Sequence, residues 1–99
     1  MALYYESHVT IDPVFGQDLS NFVAICANYK FRVAKLLMEK GPNTKDAFCT
    51  SRSQSYTDIV TRTIELVQRL QREKFVVRRY KIEDTIVDSN IGDKYELFT

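Results

Sequence analysis

Between residues 3 and 12 apolar and polar side chains alternate, with Ser7, Val9 and Ile11 separated by Glu6, His8, Thr10 and Asp12. A period of two in β-forming residue types predicts a strand with one polar face. Asp12-Pro13 ends it. From Gln17 the period lengthens: Leu19, Phe22, Val23 and Cys26 recur at i, i+3, i+4 and i+7, a single stripe on a helix that finishes near Asn28. Phe31 to Met38 fits a second strand, although the same run could extend the helix. The turn cluster Gly41-Pro42-Asn43-Thr44-Lys45-Asp46 favours the strand, because the apolar run Ala47 to Thr50 beyond it then completes a hairpin.

Ser51-Arg52-Ser53-Gln54-Ser55 reads as a polar loop, and Ser55 followed by Asp58 resembles a helix cap. The long helix that follows carries Ile59, Thr63, Leu66, Val67 and Leu70 as its buried stripe. Asp58/Arg62 and Glu65/Arg69 lie on its exposed side, acid first, in the stabilising i, i+4 orientation. Phe75 to about Val87 is rich in strand formers and long enough to need a bend or a bulge. Asp88 to Thr99 carries turn signals and is expected to form a C-terminal arm. The element order is βαββαβ, which predicts an α+β, ferredoxin-like domain: a four-stranded antiparallel sheet with two helices on one face.

Composition narrows the functional classes. With 99 residues, 44% of them hydrophobic and 27% charged, the chain has the size and balance of one folded domain spanning residues 1–99. Fourteen basic against thirteen acidic residues give a net charge of +1, so nucleic acid is not an expected partner and any anion binding must come from a local patch. No apolar run approaches the roughly 20 residues of a membrane-spanning helix, and the N-terminal residues lack an export pattern. The expected location is the cytoplasm. Cys26 and Cys49, with a single His and no C-x-x-C, point to two buried thiols rather than a metal site, and no cofactor is expected.

In this topology one sheet face is uncovered, and strand parity decides which side chains it displays. If Ser7, Val9 and Ile11 face the helices, Glu6, His8 and Thr10 face outward. Lys35 joins them if Ala34, Leu36 and Met38 point inward. Thr50 and Arg52 join if Cys49 is inward, and Arg79, Lys81 and Glu83 join if Tyr80 and Ile82 are. The expected ligand site is therefore Thr10, Lys35, Thr50, Arg52, Arg79 and Lys81 around His8, a set of hydroxyls and cations suited to a phosphate group. Tyr4, Tyr5 and Phe48 could stack bases, the weaker single-strand nucleic-acid reading, but the third strand lacks the glycine-aromatic pattern of RNA-recognition domains.

Ser7-His8-Val9-Thr10-Ile11 resembles the H-x-T strand signature of the two-histidine phosphoesterases over five residues. The resemblance implies His8 as the proton-transfer residue and Thr10 as a phosphate contact. That family places two such motifs across a cleft, whereas His8 is the sole histidine here, so activity of this kind implies a homodimer. Without a complete catalytic set in one chain, the leading expectation is a non-enzymatic binding or interaction domain. Its open face would take a phosphorylated small molecule or a protein partner.

Overall fold

The computed structural model describes residues 2–33 and 47–86, apart from the side chains of residues 2 and 86. Six elements follow in order: β1 (Ala2–Ile11), α1 (Gly16–Asn28), β2 (Arg32–Val33), β3 (Ala47–Ser53), α2 (Tyr56–Arg72) and β4 (Val77–Ile86). The four strands form one antiparallel sheet in the order β2-β3-β1-β4, which is the α+β, ferredoxin-like arrangement that the periodicities predict. Lys35, the inward set Ala34, Leu36 and Met38, the hairpin turn and the C-terminal arm lie outside the described residues.

β1 is central, paired to β3 on one side and β4 on the other, and its alternation divides the domain into two faces. Ser7, Val9 and Ile11 are buried beneath the helices. Phe22 and Cys26 of α1, Leu66 and Leu70 of α2, and Cys49 of β3 close the core around them. All five stripe residues of α2 are buried as its spacing predicts. Both cysteines are free and buried, and the contact with Cys26, together with burial, pushes the Cys49 thiol up. β4 carries the expected bulge: Thr10 pairs with Arg79 but Ile11 with Val77, which leaves Arg78 as the extra residue.

Three local expectations are corrected. β3 continues through Ser51 and Ser53, positions that read as loop because they are polar. Their hydroxyls are satisfied across the layers, Ser51 Oγ donating to the Lys30 carbonyl at 2.7 Å and Ser53 Oγ to Asp58 Oδ2 at 2.7 Å. On β2, Val33 pairs with the inward Cys49 and Arg32 with Thr50. The described end of that strand thus has the opposite parity from the one expected, with an even-numbered residue on the open face. Finally, Arg69 bonds Glu73 at 3.0 Å, placing its guanidinium toward the helix C-terminus rather than back along the helix toward Glu65.

Both helices stop in the same way. Lys30 (φ 64°) and Lys74 (φ 74°) take the left-handed conformation just past each helix. The following Phe31 and Phe75 return their N–H groups to Cys26 and Leu70 carbonyls at 2.9 and 3.0 Å. This six-to-one closure satisfies the last carbonyls and turns a phenylalanine into the core. It also fixes Lys30 outside the core, two residues before Arg32.

A buried hydroxyl pair joins the layers. Thr63 Oγ1 lies 2.7 Å from both Ser7 Oγ and the Ile59 carbonyl oxygen, so the two hydroxyl protons serve both contacts. Thr63→Val strands the Ser7 hydroxyl in the core and is expected to cost about 1–3 kcal/mol. Adding Ser7→Ala recovers part of that loss. Urea unfolding of the two single variants and the double variant measures the coupling, and strictly additive losses would contradict it.

Candidate functional site

The register places three rows of side chains across the uncovered face. Arg32, Thr50, His8 and Lys81 form the middle row. Arg52, Glu6 and Glu83 lie on one side of it, and Phe48, Thr10 and Arg79 on the other. Five of the residues expected at the ligand site, Thr10, Thr50, Arg52, Arg79 and Lys81, therefore surround His8, as the strand parities require. The inward Tyr80 opposes Val9 but is 53% exposed, because β4 is the sheet's edge and extends beyond the helices' cover.

A carboxylate stands on either side of His8, each with a cation behind it. His8 Nε2 lies 3.3 Å from Glu6 Oε1 and 3.4 Å from Glu83 Oε1. Behind the carboxylates, Arg52 Nε donates to Glu6 Oε2 at 2.9 Å and Lys81 Nζ stands 3.6 Å from Glu83 Oε1. The Arg52 guanidinium also covers the Tyr4 ring, 5.0 Å from its centroid. Two acids thus orient the imidazole from one nitrogen, an arrangement that can hold or move a proton. The same carboxylates offset the nearby cations, so the centre of the face is less anion-attracting than its basic residues alone suggest. Arg79 makes no ion pair among the described residues.

A second polar feature opens beside this face. Lys30, Arg32, Arg52 and Arg62 line a depression of about 560 Å³, with Phe31 and Ser51 in its wall. Arg62 is held there by three groups: its Nη1 donates to Ser51 Oγ at 2.7 Å and to the Arg52 carbonyl oxygen at 2.9 Å, and its Nη2 to Asp58. Asp58 in turn belongs to the start of α2. Its N–H donates to Ser55 Oγ, while the Ser53 hydroxyl accepts from the Ser55 N–H and donates to the carboxylate. The expected cap is therefore a relay through Ser53.

Lys30 and Arg32 are not among the residues that the sequence points to, and Arg62 figures there only as the helix partner of Asp58. The signal for Arg32 was present in Phe31-Arg32-Val33, an apolar-basic-apolar alternation that sets the parity now observed. Of the three aromatics considered as base platforms, Tyr5 packs edge-on against Tyr56 at 5.3 Å, Tyr4 lies under Arg52, and Phe48 is 42% exposed. Among the described residues no cluster of three or more His, Cys, Asp and Glu side chains is arranged to hold a metal ion, and no helix is long and apolar enough to cross a membrane. The chain matches no family model, and no curated protein matches it.

Asp58 links helix stability to pH. The Ser53 hydroxyl, and after it the Arg62 guanidinium, hold its carboxyl below the ordinary value of 3.8. A depressed carboxylate contributes stability that is present above its unfolded value and lost as pH falls through the lower folded one. Asp58→Asn is therefore expected to be less stable than the native chain at neutral pH, with the difference closing as the solution is acidified below 3.8. Urea unfolding across the acid limb reads this directly, and a gap independent of pH would contradict it.

Proposed function

We propose that this protein is a non-enzymatic binding module whose open sheet face holds a phosphorylated ligand. The observation that carries the reading is the convergence of cations, hydroxyls and His8 in three cross-strand rows on the uncovered face. Thr10 and Thr50 supply hydroxyls that can both donate and accept, and Arg52, Arg79 and Lys81 supply donors with positive charge. Rigid strands present all of these groups, so little ordering is required on binding. His8, held between Glu6 and Glu83, acts as a polar contact at the centre.

The position of those carboxylates also favours a second reading. An imidazole oriented by acids is equipped for proton transfer, and Thr10 stands two residues away on the same face. In a homodimer pairing two such faces, two copies of His8 and Thr10 would make a phosphoesterase like the family the H-x-T motif resembles.

One set of samples separates the two. For the binding module, titration of isotopically labelled protein with O-phosphoserine shifts the amides of Thr10, Thr50 and Arg79 while serine does not. His8→Ala weakens the response about tenfold, the scale of one or two charge-assisted contacts. Unmoved open-face amides would count against the binding reading. The phosphoesterase instead predicts hydrolysis of a 2′,3′-cyclic nucleotide that is abolished in His8→Ala and absent from monomeric protein.

A further inference from the structure

The middle row of the open face runs from Lys81 through His8 and Thr50 to Arg32, and at Arg32 it meets the depression at the sheet's edge. There β3 continues past the start of β2. Ser51, Arg52 and Ser53 are bordered by the closing turn of α1 and by α2: Ser51 Oγ reaches the Lys30 carbonyl, and Arg62 reaches the Arg52 carbonyl. The notch is thus built from two helices and a strand end, and its backbone acceptors are already occupied by the protein's own donors.

Its charge is unbalanced where the centre of the face is not. Arg62 is offset by Asp58 and Arg52 by Glu6. Lys30 and Arg32 make no ion pair among the described residues. The notch therefore carries an excess of two positive charges in a chain whose net charge is +1. Donors without a partner among the described residues match that excess: three N–H on Lys30, five on Arg32, and those of Arg52 and Arg62 not given to Glu6, Asp58, Ser51 and the Arg52 carbonyl. A site rich in donors and short of two negative charges is complementary to a phosphate monoester, which has a charge of about −1.5 to −2 at neutral pH and three acceptor oxygens.

The space exceeds what a bare phosphate requires. A depression of about 560 Å³ lies in the range of small-molecule sites. Beyond Arg32 the row leads to Thr50 and then to His8 between Glu6 and Glu83, groups that accept hydrogen bonds from hydroxyls. Resting on the open-face reading, we propose that the ligand is a phosphorylated sugar or polyol. Its phosphoryl group sits in the notch against Lys30, Arg32 and Arg62, and its hydroxyls lie along the open face toward Thr50, Glu6 and Glu83. Lys30 and Arg32 are then the residues that select for the phosphate, and the two acids select for the hydroxylated body.

Ribose 5-phosphate, ribose and inorganic phosphate, titrated separately into the labelled 99-residue chain and followed by amide shifts, test this. Ribose 5-phosphate is expected to move Lys30, Arg32, Ser51 and Thr50 together, inorganic phosphate the notch residues alone and more weakly, and ribose none. The double variant Lys30→Gln/Arg32→Gln, both exposed positions, is expected to lose about tenfold or more in affinity for ribose 5-phosphate. Its dispersed amide spectrum serves as the check on folding. Shifts centred on Thr10 and Arg79 that persist unchanged in the double variant would overturn the notch and leave the open-face reading standing. Shifts confined to the notch, with Thr50 and the β1 amides still, would overturn the open-face reading and the sugar assignment together. No response to ribose 5-phosphate at any residue would overturn the proposal.

Discussion

The parity of β1 is the constraint on which the rest depends. This strand is bonded on both sides, so its alternation is imposed on β3 and β4 through the register, and a slip of one residue would exchange the two faces of the sheet. Val9 and Ile11 hold it by burial, since the slip would bring His8 and Thr10 beneath the helices in their place. Ser7 holds it by a more specific means. Its hydroxyl is buried and, among the described residues, finds its partner in Thr63 of α2, and neither group tolerates the core alone. The pair therefore ties the sheet register to the rotation of α2, and that same rotation aims Arg62 at the carbonyl of Arg52.

Much of this was visible in the chain wherever one period dominated. β1 announces itself because Val9 and Ile11 alternate with His8, Thr10 and Asp12, with Ser7 the one polar residue on the inward side, and α2 because five inward positions recur at helical spacing. At the described start of the second strand the apolar-basic-apolar run Phe31-Arg32-Val33 marks the inward positions, whereas the apolar run around Leu36 to Met38, outside the described residues, offers no alternation from which to choose a face. Ser51 and Ser53 resemble loop residues for a different reason. Polarity normally signals exposure, and these hydroxyls are instead paid for by Lys30, Arg62 and Asp58, groups far away in sequence or on another element. The notch was hidden for the same cause: its four cations come from α1's end, β2, β3 and α2, and no local window contains them.

The two helix ends show how a backbone detail positions chemistry. A glycine is the usual occupant of the left-handed position after a helix, and at each end this chain has a lysine followed by a phenylalanine. The strained turn is retained because it satisfies the last carbonyls and delivers the phenylalanine to the core. After α1 it has a further effect. With Lys30 turned outward and Phe31 inward, Arg32 must emerge on the open face, so the two notch cations that make no ion pair among the described residues are placed by backbone geometry.

Net charge is a poor guide to such a surface, and the reason lies in how the charges are grouped. On the open face Glu6 and Glu83 each stand between His8 and a cation, so the charges of Arg52 and Lys81 are offset at close range. Exposed pairs of this sort add little stability. What they do is remove the attraction that Arg52 and Lys81 would otherwise exert on an anion over the centre of the sheet. At the edge Lys30 and Arg32 make no ion pair among the described residues, and the acid that Lys30 feels, Asp58, is already bonded to Arg62. An approaching anion thus meets an almost neutral plain with a positive border, and the physical preference for where its charge comes to rest is set by the placement of Glu6 and Glu83 as much as by the cations themselves.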